Sequence, residues 1–240
     1  AVAGETLKDW IDTDILEKDD AKAFYLYAID FAVDGEKKFI AGLVGRVQLT
    51  PFSEGVVLPH EETLSKAKAD RLQLMHATAC NFSNIYSLYR DDGGESETQD
   101  ILALVMHQAP LADITDEAGL QHRLWAITDE TMIRTIQQRF TDTKLYIADG
   151  HHRYETALNY RNERRAEGAP VGSSVDYVMM MLVEMSHPGL VVFPTHRMLR
   201  GLENFDPDAL LKASEPYFDL HRGLPVDHLD EWLEHAYRDG

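Results

Sequence analysis

Hydrophobic and polar residues alternate along several short segments of this chain, a pattern typical of β-strands. Two such segments, 23–33 and 38–49, flank Asp34-Gly35-Glu36, which is a favourable hairpin turn. A second hairpin is predicted to join 111–115 and 122–127 around Asp116-Glu117-Ala118-Gly119. The same reasoning predicts further strands at 85–89, 144–148, 175–185, 190–193 and 217–220.

Other segments repeat their apolar residues at helical spacing. Helices are predicted at 5–17, 63–78, 98–107, 129–140 and 229–237. Two more are predicted to begin after residue 150 and after Asp206-Pro207. Hairpins mixed with helices favour an α+β fold with a mixed, largely antiparallel sheet and packed helices. We predict a single domain over residues 1–240, and the first residues, Ala1-Val2-Ala3-Gly4, suggest a fragment of a longer chain.

Composition and charge narrow the choice of function. The 44% of hydrophobic residues indicates a globular protein, and no apolar run reaches the length of a membrane span. The formal net charge of −18 disfavours binding to a phosphate backbone, so no nucleic-acid partner and no membrane partner are expected. With a single cysteine, Cys80, an internal disulfide is excluded, and we predict a cytoplasmic protein. The oligomeric state is left open.

The strongest chemical signal is the run Asp149-Gly150-His151-His152-Arg153 between a predicted strand and a predicted helix. Gly150 permits a tight turn, and the free N–H groups of the first helical turn favour an anion. Two imidazoles and one guanidinium add donors suited to phosphate or carboxylate. The alternative is a structural turn in which Asp149 caps the helix. In the same helix, Glu155 is predicted to orient an imidazole from the i+4 position.

Three further groups are candidates for the same site. His60 and Glu61 precede a predicted helix, where Glu61 is either a catalytic base or metal ligand, or an acid that complements the helix terminus. Arg71 belongs either to a solvated helix face or to the anion site. His196 and Arg197 follow a predicted strand end, a position that suits either a site or a surface loop. We predict that His60, Glu61 and His196 converge on the turn.

These residues resemble the signature of a bacterial family, the domain of unknown function numbered 1015. The resemblance lies in four motifs: 146–158, Pro59-His60-Glu61-Glu62-Thr63 with Lys68-Ala69-Asp70-Arg71, Asn81-Phe82-Ser83, and Phe193-Pro194-Thr195-His196-Arg197. It covers residues from about 4 to about 220. A weaker resemblance links Asp149 to Arg153 with the phosphate-binding turn of the ParB/sulfiredoxin superfamily, which includes nucleotide-dependent enzymes. That resemblance implies a ParB/sulfiredoxin-like core and a nucleotide site, whereas the charge argues against a DNA-binding role.

Our leading hypothesis is a nucleotide-dependent phosphotransferase, kinase-like, that acts on a small hydroxylated metabolite with ATP or ADP and Mg²⁺. Its predicted catalytic residues are Glu61, Asp149 and His152, with Asp149 as the metal ligand. The nucleotide would bind to Gly150, His151, His152, Arg153, His60, Arg71, His196 and Arg197. The sequence lacks a P-loop, so this site would be of another kind.

Two alternatives stay open. Imidazoles and carboxylates of His60, Glu61, His151, His152 and His196 are sufficient ligands for Zn²⁺, Mn²⁺ or Fe²⁺ in a hydrolase or lyase. The other alternative is a non-catalytic module that senses an anion or a nucleotide.

Overall fold

The computed structural model is an α+β structure, as the sequence predicts. It describes residues 2–33, 35–63, 65–91, 97–192 and 201–220, with the backbone alone at 65–67. The chain divides into two compact units, residues 1–191 and residues 192–240. The single domain over residues 1–240 stays a prediction.

The described strands all belong to the first unit. They are β1 Phe24–Val33, β2 Glu36–Gln48, β3 Val57–Leu58, β4 Ile85–Tyr89, β5 Ala112–Thr115, β6 Gln121–Ile127, β7 Leu145–Asp149 and β8 Tyr177–Glu184. They form one sheet in the order β3-β7-β4-β8-β2-β1-β6-β5. The pairs β3–β7 and β4–β8 are parallel, and the other neighbours are antiparallel. The sheet is therefore mixed and largely antiparallel, as predicted.

Of the α-helices in the described residues, five belong to the first unit and one to the second. They are α1 Val2–Asp12, α2 Ser65–Thr78, α3 Glu97–Met106, α4 Glu130–Arg139, α5 His151–Ala166 and, in the second unit, α6 Pro207–Ser214. Asp129 caps α4 as the sequence suggests, because its carboxylate accepts the N–H groups of Thr131 and Met132. Within the described ranges, none of the helices combines the length and the apolar character needed to cross a bilayer.

The main core lies between one face of the sheet and the helices α3, α4 and α5. Strand residues such as Leu26 and Met180 alternate with residues of the opposite face, and they pack in one cluster with Leu102, Ile136 and Tyr154 of the three helices. Tyr154 is fully buried, and its ring stacks on Phe52. This packing holds α5, whose N-terminus forms the candidate site.

Two predicted strands are wrong where the structure describes them. Leu190–Val192 is not a strand: the N–H of Leu190 bonds to the His187 carbonyl in a turn, and Gly189 packs directly against the Phe39 carbonyl. Residues 217–220 are not a strand either, because the N–H groups of Tyr217 and Phe218 both bond to the carbonyl of Ser214 after α6. The helix predicted at 229–237 lies outside the described residues. The two-residue strand β3 was not predicted from the sequence, since its pattern is too short to stand out.

We expect the Tyr154→Phe variant to lower the free energy of unfolding by about 1–3 kcal/mol. The Tyr154 hydroxyl donates to the Thr50 carbonyl at 2.8 Å and accepts the Thr50 N–H at 3.0 Å, so its loss leaves two part-buried backbone groups of Thr50 without this partner. Urea unfolding checks this, with Tyr217→Phe as the control because Tyr217 is 80% exposed. Equal midpoints for the two variants would contradict the expectation.

Candidate functional site

The candidate site lies at one edge of the sheet, where three strand ends meet. Strand β3 runs parallel to β7, with Leu58 opposite Tyr146, so the residues after β3 leave the sheet at the end where β7 leads into α5. Strand β4 runs antiparallel to β7, so the first residues of β4 lie beside the last residues of β7. The topology thereby brings residues 59–63 and 83–84 to the turn at 149–153.

Gly150 forms the turn between β7 and α5 with φ of +102°, a left-handed conformation that favours glycine. Within the described part of the chain no side chain caps α5 at Gly150, and the Tyr154 N–H bonds to the Gly150 carbonyl. The alternative in which Asp149 caps this helix is therefore wrong. An uncapped first turn leaves backbone donors of a helix N-terminus available to an anion.

His151 is the buried centre of the site, with 1% of its surface exposed. Its Nε2 accepts the backbone N–H of His60 at 3.2 Å, and its Nδ1 lies 3.1 Å from Oε1 of Glu61. Because Nε2 is an acceptor, the proton of the neutral ring belongs on Nδ1, the nitrogen that lies beside the Glu61 carboxylate. The Glu61 side chain stays 53% exposed.

His60 is oriented in the same way by the backbone. Its Nδ1 lies 2.7 Å from the Ile147 carbonyl and donates to it, which leaves the lone pair on Nε2. The rings of His60 and His151 meet edge to face, with centroids 4.4 Å apart. His60 therefore presents Nε2 as a base or a ligand beside Glu61.

Burial lowers the pKa of His151 below its ordinary value, and the neighbouring His60 lowers it further. The carboxylates of Glu61 and Asp149 act in the opposite direction but do not reverse the shift. His151 is consequently neutral at pH 7, in agreement with its role as acceptor of the His60 N–H.

The same three side chains are arranged as a possible metal site. One ligand atom each from His60, Glu61 and His151 lie within 4.8 Å of one another. A His₂Glu set with open positions is typical of catalytic zinc and related ions. If a metal ion bound to Nδ1 of His151, however, the ring proton would move to Nε2. Two donors, this N–H and the backbone N–H of His60, would then face each other.

Arg153 is held by protein groups on both sides of the turn. It donates to the Ser83 hydroxyl at 3.0 Å, to the Asn84 carbonyl and to the Asp149 carboxylate at 2.5 Å. A Cβ on Gly150 would lie 3.0 Å from its guanidinium, so the guanidinium covers the turn. Arg153 therefore links the start of β4 to the end of β7, and its positive charge stays at the N-terminus of α5.

Glu155 does not orient His151, contrary to the sequence prediction, because Glu61 is the carboxylate that lies beside Nδ1 of this ring. It accepts the Thr63 hydroxyl and the Lys68 ammonium, the latter at 2.9 Å. Burial alone would raise the pKa of Glu155, but these two donors hold it below its usual value. Glu155 thereby ties the segment after β3, and α2 beyond it, to α5. The sequence pattern does not reveal Thr63 and Lys68 as contacts, because Glu155, their common partner, is far from both along the chain.

The remaining predicted residues are distributed as follows. His152 is half-buried in the first turn of α5, and its carbonyl accepts the Thr156 hydroxyl. Arg71 lies on α2 and lines a small cavity together with Arg153. His196 and Arg197 lie outside the described residues, so the convergence of His60 and Glu61 on the turn is confirmed and that of His196 stays a prediction.

The comparisons with known proteins agree with the stronger resemblance. The model of the family described as "Protein of unknown function (DUF1015)" matches residues 1–237, and the chain belongs to this family. No curated protein and no solved structure matches the chain. The likeness to the ParB/sulfiredoxin superfamily receives no support from these findings, and a ParB/sulfiredoxin-like core stays a prediction.

We expect the imidazole of His151 to titrate below the ordinary histidine pKa of about 6.5. Since the folded protein disfavours the charged ring, the stabilisation from neutral His151 is complete above about pH 6.5 and is lost as the pH falls through the lower pKa of the folded state. NMR titration of the ring protons measures the pKa directly. Glu61→Gln should lower it further by removing an opposing carboxylate, and a value at or above the ordinary one would contradict this account.

Proposed function

Starting from membership of a family without an assigned activity, we propose that this chain is a nucleotide-dependent phosphotransferase acting on a small hydroxylated metabolite. The observation that carries the proposal is the position of Glu61 beside the uncapped N-terminus of α5. A base and an anion-binding turn then lie in contact through one buried imidazole. Phosphoryl transfer requires positioning and neutralisation of charge more than covalent chemistry, and such a pair supplies both.

The phosphates of the nucleotide would bind at the first turn of α5. Three features support this assignment: the glycine turn, the uncapped helix N-terminus and the guanidinium of Arg153 over the turn. Arg153 would act mainly through its charge and by holding the turn, since its donors already bond to Ser83, Asn84 and Asp149. Asp149 is 78% exposed and would offer a carboxylate oxygen to Mg²⁺.

Glu61 would accept the proton of the acceptor hydroxyl. The acceptor oxygen forms a bond to the terminal phosphorus of ATP or ADP, the bond from that phosphorus to the leaving phosphate breaks, and the proton passes to the Glu61 carboxylate. His151 would act as a positioning residue, because its Nδ1 lies 3.1 Å from the Glu61 carboxylate. His152, also in the first turn, is assigned to phosphate binding or to charge stabilisation there.

Gly150→Ala should weaken binding of MgATP or MgADP about tenfold or more. Its Cβ would meet the Arg153 guanidinium and displace the turn. Gly168→Ala is the matched control: Gly168 also has φ of +102°, follows the C-terminus of α5, and a Cβ there meets no atom within 4 Å. Both variants carry a similar backbone strain of about 1–2 kcal/mol, so isothermal titration separates strain from loss of the site. Absence of nucleotide binding to intact protein with Mg²⁺ would contradict the proposal.

A second candidate is a divalent-metal-dependent hydrolase or lyase, favoured by the convergence of His60, Glu61 and His151 within 4.8 Å. Zn²⁺, Mn²⁺ or Fe²⁺ suits this ligand set and supplies a Lewis acid when bound. We rank it second because Nε2 of His151 already accepts the His60 N–H, so a metal at Nδ1 would require the ring to change its tautomer.

Glu61→Gln distinguishes the two candidates. If Glu61 is a base, the variant should bind nucleotide within about twofold of the wild type and transfer labelled terminal phosphate to a panel of small alcohols and hydroxy acids at least about 100-fold more slowly. If Glu61 is a ligand, the variant should lose Zn²⁺ affinity about 10- to 100-fold instead. Glu62→Gln is the control, since Glu62 is the exposed neighbouring carboxylate. Unchanged transfer and unchanged Zn²⁺ affinity in Glu61→Gln would reject both roles.

A further inference from the structure

We propose that a small cavity between α2 and α5 binds the carboxylate group of a small organic acid. The cavity has a volume of about 60 Å³ and is lined on its polar side by Arg71, Asn81, Ser83 and Arg153. It adjoins the turn at 149–153, because Arg153 belongs to both. The inference is independent of the proposed function, because it requires carboxylate binding and no phosphoryl transfer.

The charge of the cavity favours a monoanion. Of the residues that the structure describes, no acidic one lines it, in a chain whose net charge is −18. The charge of Arg153 is offset by Asp149 at 2.5 Å, whereas Arg71 makes no hydrogen bond or ion pair with another described residue. One unbalanced guanidinium matches the single negative charge of a carboxylate, and its two parallel N–H donors match the two oxygens.

The size and the remaining lining agree with this choice. The volume of about 60 Å³ leaves room for a carboxylate with a short carbon chain. Leu74, Met75 and Phe82 supply an apolar side for that chain.

Glycolate, the smallest hydroxylated carboxylate, is the probe. Titration of the full chain with glycolate, followed by shifts of backbone amide NMR signals, should give saturable binding, and ethylene glycol should give none because it lacks the charge. Arg71→Gln should weaken glycolate binding about 10- to 100-fold, as expected for loss of a charge-assisted hydrogen bond. Arg134→Gln is the control and should bind as the wild type does, since Arg134 is an exposed cation on α4 that contacts Glu130 and Thr131.

The outcomes separate this inference from the proposed function. Glycolate binding that depends on Arg71, in a protein that binds no nucleotide, supports the carboxylate site and removes the phosphotransferase. Equal glycolate affinity in the wild type and Arg71→Gln overturns the inference, as does absence of saturable binding at concentrations of roughly tens of millimolar. Inorganic phosphate that binds through Arg71 more tightly than glycolate overturns the assignment to a carboxylate.

Discussion

The parallel pairing of β3 with β7 is the constraint on which the candidate site depends. Only Val57 and Leu58 take part, opposite Leu145 and Tyr146, so the ladder itself is short. His60 continues the attachment where the ladder ends. Its ring Nδ1 donates to the Ile147 carbonyl, and its backbone N–H donates to Nε2 of His151. Because the two strands point the same way, the chain after β3 can only leave beside the N-terminus of α5.

A buried, neutral imidazole connects this attachment to chemistry. Nε2 of His151 accepts the backbone N–H of His60, and Nδ1 lies beside the Glu61 carboxylate. Burial disfavours the charged form of the ring, so Nε2 keeps its role as an acceptor. A half-exposed carboxylate thereby gains a fixed position that a surface glutamate would otherwise lack.

Two ion pairs hold the turn from the outside. Arg153 joins Asp149 to the start of β4, and Lys68 joins α2 to Glu155 of α5. Both pairs are partly exposed, so each contributes modestly to stability, and their main effect is on geometry. Arg153, which the sequence predicts as a ligand for an anion, is thus already bonded to groups of the fold. Arg71 has no hydrogen bond or ion pair with another described residue.

The sequence by itself determined the α+β class, the two hairpins, most helix positions and the strand-to-helix turn at 149–153 that forms the candidate site. These follow from local periodicity and from the turn chemistry of residues such as Gly35, Asp129 and Gly150. The partners of His151 and Glu155 depended on the tertiary structure, because strand order and the direction of β3 are set by long-range pairing. The sequence placed Glu155 near an imidazole by helical spacing, and the parallel strand brought Glu61 there instead.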